Sequence, residues 1–191
     1  FSSLTDVVVT DGSTNSVTAS NIENFISGTN DDTLDFSSAT EALTFDFSSF
    51  TDVVVTDGST SSVTASTIEN FISGANDDTL DFFTFTDTPA TQTFTISEAG
   101  NNITVTDGVN AITATGIKNL IGSSGTNIFV FEGNPDFNGT ITGNGNDSFD
   151  FTPYVGVLTF TDDLISNNAA GNLSVTHSGI DSVDVNFDQV D

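Results

Sequence analysis

The sequence predicts an all-β protein, a parallel β-solenoid (β-helix) built from repeats of about 46 residues with about two coils each. The first observation is a near-identical repeat, since residues 1–36 and 47–82 agree at 32 of 36 positions with an offset of 46 residues. The second is the alternation of apolar and polar residues in short segments, which indicates β-strands. A two-sheet β-sandwich is the alternative, although near-identical consecutive units fit its non-equivalent strands less easily.

Each unit is predicted to contain four or more short strands. Residues 5–10 alternate and place Val7 and Val9 on one face. Asp11 and Gly12 then form a turn, because glycine tolerates positive φ. Residues 16–20 are a second strand. Four strands per 46 residues give coils of about 23 residues, close to the repeat lengths of parallel β-helices.

The rest of the unit continues this pattern. Residues 22–26 also fit a helical spacing, but the segment is short and rich in β-branched neighbours, so a strand is preferred. Residues 32–36 and 43–47 alternate again. The repeats are approximately 1–46, 47–95, 96–142 and 143–191, and we expect a single domain, an excerpt of a longer repeat protein.

Phenylalanine recurs with the repeat. One predicted column contains Phe36, Phe82, Phe131 and Phe151, and another contains Phe45, Phe94 and Phe160. The chain has 18 Phe, one Tyr and no Trp. Solvent-facing aromatic platforms usually use Tyr and Trp. The columns are therefore predicted to be interior stacks.

The composition is strongly acidic, with 27 Asp and Glu against one basic residue and a formal charge of −26. Such a surface repels nucleic acid and anionic lipid, so neither is an expected partner. No apolar run approaches the roughly 18 residues needed for a membrane-spanning helix, and membrane insertion is not expected. Cysteine is absent, which excludes thiolate metal sites. Either divalent cations balance the charge, or the acidity keeps a secreted protein soluble.

A glycine- and aspartate-rich stretch returns in every unit. The positions concerned are Gly28, Asp32 and Leu34; Gly74, Asp78 and Leu80; Gly122, Gly125 and Asn127; and Gly143, Gly145, Asp147 and Phe149. This stretch resembles the haemolysin-type (RTX) nonapeptide G-G-x-G-x-D-x-U-x. The resemblance implies Ca²⁺ held by glycine-rich turns between successive coils. In that family tandem nonapeptides supply both halves of each site, whereas here the copies are separated by 46, 49 and 20 residues.

Carboxylates crowd at these corners, and Ca²⁺ is the expected cofactor. A hard cation that takes 6–8 oxygen ligands could recruit Asp31, Asp32 and Asp35 together with turn carbonyls. Strand alternation sends Asp31 and Asp35 to one side and Asp32 to the other. The candidate metal ligands over all copies are Asp31, Asp32, Asp35, Asp77, Asp78, Asp81, Asp147 and Asp150.

No catalytic residues are predicted. His177 is the only imidazole and lies on a predicted strand, and Lys118 is predicted to be solvated. The alternative to a non-enzyme is a carbohydrate-active β-helix enzyme that uses paired carboxylates. Threonines in residues 91–95 suggest an ice-binding ladder, but Thr-x-Thr pairs do not recur in register along the sequence, so a ladder is not predicted.

The sequence thus predicts a structural segment of a secreted, bacterial-type cell-surface fibre, sheath or adhesin, stabilised by calcium. Terminal coils of a solenoid expose unpaired N–H and C=O groups, and residues 182–191 still alternate. We therefore expect head-to-tail self-association into filaments, or stacking on flanking repeats of the same chain. A surface glycan is a further candidate partner.

Overall fold

The computed structural model describes residues 6–10, 16–20, 22–59, 61–86, 91–98, 102–144, 146–155, 158–162, 172–177 and 182–188, the last three ranges as backbone alone. These residues form an all-β structure with two mixed sheets. Over the described ranges there is no helix long and apolar enough to span a membrane.

One sheet has nine strands, which are in spatial order β16 (Asn146–Asp150), β14 (Thr126–Glu132), β10 (Thr91–Ser97), β11 (Asn102–Thr106), β12 (Ala111–Thr115), β8 (Asn70–Ile72), β4 (Thr33–Asp35), β1 (Asp6–Thr10) and β2 (Ser16–Ser20). The other has ten strands, in the order β17 (Leu158–Asp162), β18 (Asn172–His177), β19 (Ser182–Asp188), β15 (Thr140–Thr142), β13 (Ile117–Ile121), β9 (Asp78–Asp81), β5 (Thr44–Phe47), β6 (Asp52–Thr56), β7 (Ser62–Ser66) and β3 (Asn24–Ile26).

The expected purely parallel ladder is not what the sheets contain. Among the described strands, nine adjacent pairs are parallel and eight are antiparallel. The reason lies in the Asp-Gly turns, where Gly58 and Gly108 have φ of 72° and 89°. A tight turn of this kind reverses the chain and makes an antiparallel hairpin. Three-stranded antiparallel meanders result, of which β5–β7 is the first and β10–β12 the second.

Equivalent strands of successive repeats lie in opposite sheets. From the first meander the chain crosses to β8, returns to β9 and crosses again to the second meander, which makes three crossings in one repeat. Two coils would need four crossings and would return each repeat to the same sheet. The described strands of one repeat thus make three crossings and not the four that the predicted two coils would need.

The segment from β13 to β16 differs from the preceding repeats, because single strands rather than meanders alternate between the two sheets. Here Asn127 and Asp147 are only 20 residues apart. The chain makes two crossings, so β15 pairs in parallel with β13, and β16 pairs in parallel with β14. A 20-residue circuit thus brings equivalent residues side by side.

The core lies between the sheets and is rich in phenylalanine, as predicted. Eight rings are fully buried: Phe36, Phe45, Phe47, Phe71, Phe82, Phe94, Phe129 and Phe131. They do not form one column per motif position, however, because Phe36 and Phe82 follow strands of different sheets. Phe36 contacts Phe45 edge-on at a centroid distance of 5.7 Å, whereas Phe82 stacks on Phe47 at 4.9 Å. The side chain of Phe160 lies outside the described residues.

Candidate metal centre at the aspartate corners

Each copy of the nonapeptide-like stretch forms a corner where the chain passes between the sheets, and one residue closes it. We call Asp32, Asp78, Asn127 and Asp147 the corner residues. Asp32 Oδ2 accepts a hydrogen bond from the backbone N–H of Gly28 at 3.3 Å, and Asn127 Oδ1 accepts one from Ser123 N–H at 3.2 Å. Asp78 Oδ1 instead accepts one from the N–H of Leu43 at 2.6 Å. A side chain that bonds four residues back holds the turn closed.

Close approach of other atoms requires glycine at several corners, although not at Gly28, where an added Cβ would meet nothing within 4 Å. A Cβ at Gly74 would lie 2.6 Å from the carbonyl oxygen of Ala39. At Gly143 a Cβ would meet the carboxylate of Asp147. Since real Cβ atoms do not tolerate such contacts, these positions need glycine whether or not a metal is bound.

Asp78 is the corner residue with the most unusual surroundings. It is fully buried, and its Oδ1 accepts a hydrogen bond from Leu43 N–H at 2.6 Å. Its Oδ2 has no hydrogen-bond partner within the described structure. The buried hydroxyl of Ser73 approaches the same carboxylate without the geometry of a hydrogen bond. Burial raises the pKa of Asp78, because an ionised carboxylate is poorly solvated there.

A second set of aspartates ends the strand that follows three of the four corners. Asp35, Asp81 and Asp150 each accept a hydrogen bond at 2.8 Å from the backbone N–H two residues later. Such Asx turns terminate a strand without any metal. Burial raises the pKa of Asp81, and the nearby charge of Asp46 adds to the effect. The hydroxyl of Thr152, which donates to Asp150, lowers the pKa of Asp150.

The remaining predicted ligands point into solvent. Asp31 is exposed, and Asp77 forms an ion pair with Lys118 at 2.9 Å, with side-chain exposures of 74% and 51%. Lys118 is therefore solvated, as predicted, but also paired. Throughout the described ranges, no group of three or more His, Asp or Glu side chains lies close enough to hold a metal ion. The predicted clusters, such as Asp31, Asp32 and Asp35, are thus not gathered into one carboxylate site.

The fit to calcium differs between corners. Asp147 Oδ1 accepts a hydrogen bond from Asn127 Nδ2 at 2.5 Å, so a neighbouring amide already satisfies that oxygen. Only the corner of Asp78 combines a buried carboxylate oxygen and a buried hydroxyl that both lack partners in the described structure. Oxygen donors of this kind suit a hard cation. Sequence reasoning missed Ser73, although serine occupies the same place in the first two corners, as Ser27 and Ser73.

One pair of carboxylates lies side by side on an outer face. Asp46 and Asp81 are register partners on the parallel strands β5 and β9 of the ten-stranded sheet. Paired carboxylates are what the enzyme alternative requires, and that alternative stays a prediction. His177 lies in β18, and its side chain is outside the described residues.

No protein-family model, no curated protein and no solved structure matches this chain. The arrangement of its own residues is therefore the basis for assigning a function.

Proposed function

We propose that this chain is a structural segment of a secreted cell-surface fibre, sheath or adhesin, organised as a β-solenoid and rigidified by calcium. The observation that carries the proposal is the way successive repeats join. The strands β4, β8 and β12 come from three consecutive repeats and pair in parallel, so that Leu34 lies beside Phe71 and Phe71 beside Ala114. Main-chain hydrogen bonds and one aromatic core thus continue from repeat to repeat, as expected for a structural repeat array in which each unit contacts its neighbours.

The solenoid assignment is supported by the path of the chain. The chain crosses between the two sheets at every corner, and the 20-residue circuit from β13 to β16 returns in register to both sheets. In this proposal the sheets are the two walls of a flattened solenoid. Each three-stranded meander then occupies the position of a single strand in a simple solenoid, and its Asp-Gly hairpins are insertions within that sheet.

Calcium in this proposal acts at the corner of Asp78. Asp78 and the hydroxyl of Ser73 would hold the ion, and the ion would supply positive charge next to a buried carboxylate. The protein itself holds this corner through the hydrogen bond that Leu43 N–H donates to Asp78. Without a cation, the buried charge of Asp78 opposes folding at neutral pH.

End-to-end association is the expected mode of assembly. Within the described strands, β2, β3, β16 and β17 lie at the sheet edges, where backbone groups are available to another strand. Ile26 on edge strand β3 is 83% exposed, whereas its equivalent Ile72, flanked by strands on both sides, is partly buried. Contacts between unlike ends generate filaments. In this proposal an end of the segment contacts either another copy of the chain or flanking repeats of the same chain. Calcium favours the contact because it reduces the repulsion between acidic ends.

The calcium proposal is tested by thermal unfolding in millimolar Ca²⁺ and in chelator, at matched ionic strength. An ion that binds only the folded chain raises its midpoint by mass action. We expect Asp78→Asn to lose this response and Asp31→Asn, which changes an exposed carboxylate, to retain it. Equal midpoints for the unmodified chain in the two buffers would leave only ionic screening and end the specific-site proposal.

Assembly is tested by sedimentation and negative-stain imaging over a range of protein concentrations. The expected result is a concentration-dependent series of linear assemblies that calcium favours. A chain that stays monomeric at high concentration in calcium would refute self-association. That result would leave the corner proposal intact, because the two experiments measure different properties.

A further inference from the structure

The outer face of the second meander carries an uncharged array of threonines. In β10, β11 and β12 alternate residues such as Phe94, Val105 and Ile112 are buried in the core. The residues between them face outward. Besides Ser97 and Ala111, these outward residues are the ones that we call the threonine plate: Thr91, Thr93, Thr95, Asn102, Thr104, Thr106, Thr113 and Thr115.

The threonines of the plate are in register across the three strands. Thr95 lies opposite Thr104, and Thr104 lies opposite Thr113. The hydroxyls of Thr104 and Thr113 approach within 3.5 Å. Thr-x-Thr pairs therefore do recur in register, contrary to the expectation from the sequence. The hairpin turns set this register, and linear spacing along the sequence does not reveal it.

The plate is specific to this meander, as comparison with the first meander demonstrates. In the first meander the outward positions equivalent to Thr95 and Asn102 are Asp46 and Asp52. The position next to Thr95 on the neighbouring strand, Val130, corresponds to Asp81. Three carboxylates of one face are thus replaced by uncharged residues on the other, within a chain whose formal charge is −26.

We propose that the threonine plate binds ice. Strand geometry places its side chains on a grid of about 4.8 Å between strands and about 6.7 Å along them. These spacings are of the same order as the oxygen repeats on faces of hexagonal ice. A threonine hydroxyl can join the ice hydrogen-bond network, and its methyl group orders the adjacent water. The hydroxyls of Thr106 and Thr115 are exceptions, because they donate to the carbonyl oxygens of Asn110 and Phe71. A carboxylate would bind its own hydration shell, so the absence of charge from the plate favours this ligand.

Two other occupants fit the plate less well. Polysaccharide surfaces are usually held by aromatic rings, and the plate has none. A second copy of the chain would find roughly 250 Å² on three strands, well below the roughly 800 Å² per partner of a stable interface. Both occupants are outcomes of the test below.

The test is the effect of the full chain on ice crystals, measured as crystal shaping and as inhibition of recrystallisation. We expect both effects for the unmodified chain and the loss of both for the double variant Thr95→Asp, Asn102→Asp. This variant should fold, because the first meander already has aspartate at both equivalent positions. Circular dichroism and thermal unfolding verify that it does. The matched control is Thr64→Asp, an exposed threonine on the other sheet, which should keep full activity.

Several results would overturn the proposal. An unmodified chain that leaves ice growth unchanged would do so, as would a double variant that is as active as the unmodified chain. Binding to crystalline cellulose or chitin that the double variant abolishes, without any effect on ice, would assign the plate to a glycan. A dimer that the double variant dissociates, again without an effect on ice, would assign it to a second copy of the chain.

Discussion

Truncation of Phe82 is a direct test of the aromatic core that runs between the two sheets. The ring is 0% exposed and stacks on Phe47 at a centroid distance of 4.9 Å with an interplanar angle of 4°. It also contacts Phe94 edge-on at 5.3 Å, and Phe94 in turn lies 4.8 Å from Phe129 of the next repeat. Removing a buried phenyl group loses its transfer free energy and leaves a cavity that close-packed neighbours fill only in part. We expect Phe82→Ala to cost about 3–5 kcal/mol, a large share of the roughly 5–15 kcal/mol of a typical domain.

The measurement is urea unfolding followed by circular dichroism, with the midpoint and the m-value fitted together. The neighbouring residue provides a matched control, since Phe83 is 61% exposed and Phe83→Ala should change stability by less than about 0.5 kcal/mol. A loss below about 1 kcal/mol for Phe82→Ala, or equal losses for the two variants, would contradict a close-packed aromatic core at this position.

Three further predictions concern single positions. Asp78→Asn should stabilise the chain by about 1–3 kcal/mol in chelator at neutral pH, because burial raises the pKa of Asp78; calorimetry should find the gain shrinking as the pH falls through that raised pKa. A hydrogen-bonding hydroxyl lowers the pKa of Asp150, so its carboxylate stabilises the fold at pH values above its ordinary pKa of 3.8, and this stability is lost as the pH falls through the lowered pKa. Asp150→Asn should therefore flatten the acid limb of a pH–stability curve. Gly139→Ala would press a Cβ into a backbone carbonyl and should cost about 1–3 kcal/mol, whereas Gly28→Ala, with nothing within 4 Å, should be close to neutral in urea unfolding.

The sequence predicts the strands and the inward residues well, because both follow from local alternation. In β10, for example, burial alternates strictly, with Phe94 and Ile96 inside. The all-β class is confirmed for the same reason. The Asp-Gly pairs at residues 57–58 and 107–108 are strong hairpin signals. The expectation of a purely parallel ladder gave them too little weight.

The alternation of repeats between the sheets could not be predicted in this way. Both sheets bury the same kind of side chain, so Leu34 in one and Leu80 in the other have identical neighbours in sequence and identical burial. What differs is the number of crossings per repeat, which depends on whether a turn reverses the chain within one sheet or carries it to the other. That choice is made by tertiary packing, which propensity does not encode.

The sequence located the corner residues, but it did not predict that side chains such as Asp32 and Asn127 accept a hydrogen bond from the backbone four residues earlier. A motif aspartate suggests a metal, whereas a hydrogen bond to an N–H four residues back uses only one oxygen and no charge. Asn127 was the available signal, since an amide performs the same closure and also donates from Nδ2 to the carbonyl of Ser123 at 2.9 Å. A position that accepts either Asp or Asn is primarily a hydrogen-bond acceptor.

The corner residues predict the number of tight calcium sites, and the variant Asn127→Asp tests that prediction. Asn127 and Asp147 are strand-register partners, and their hydrogen bond puts an amide beside a carboxylate where a row of metal sites would have two carboxylates. Asp78 instead lies beside Leu43 and Ile117. Titration calorimetry of the unmodified chain should therefore find one tight calcium site. Asn127→Asp buries two facing carboxylates, which should cost about 2–3 kcal/mol in chelator and create a second site in calcium. Equal stability of the variant and the unmodified chain in chelator would show that the amide contributes nothing to this corner. An unmodified chain that binds several ions tightly would instead favour a row of sites.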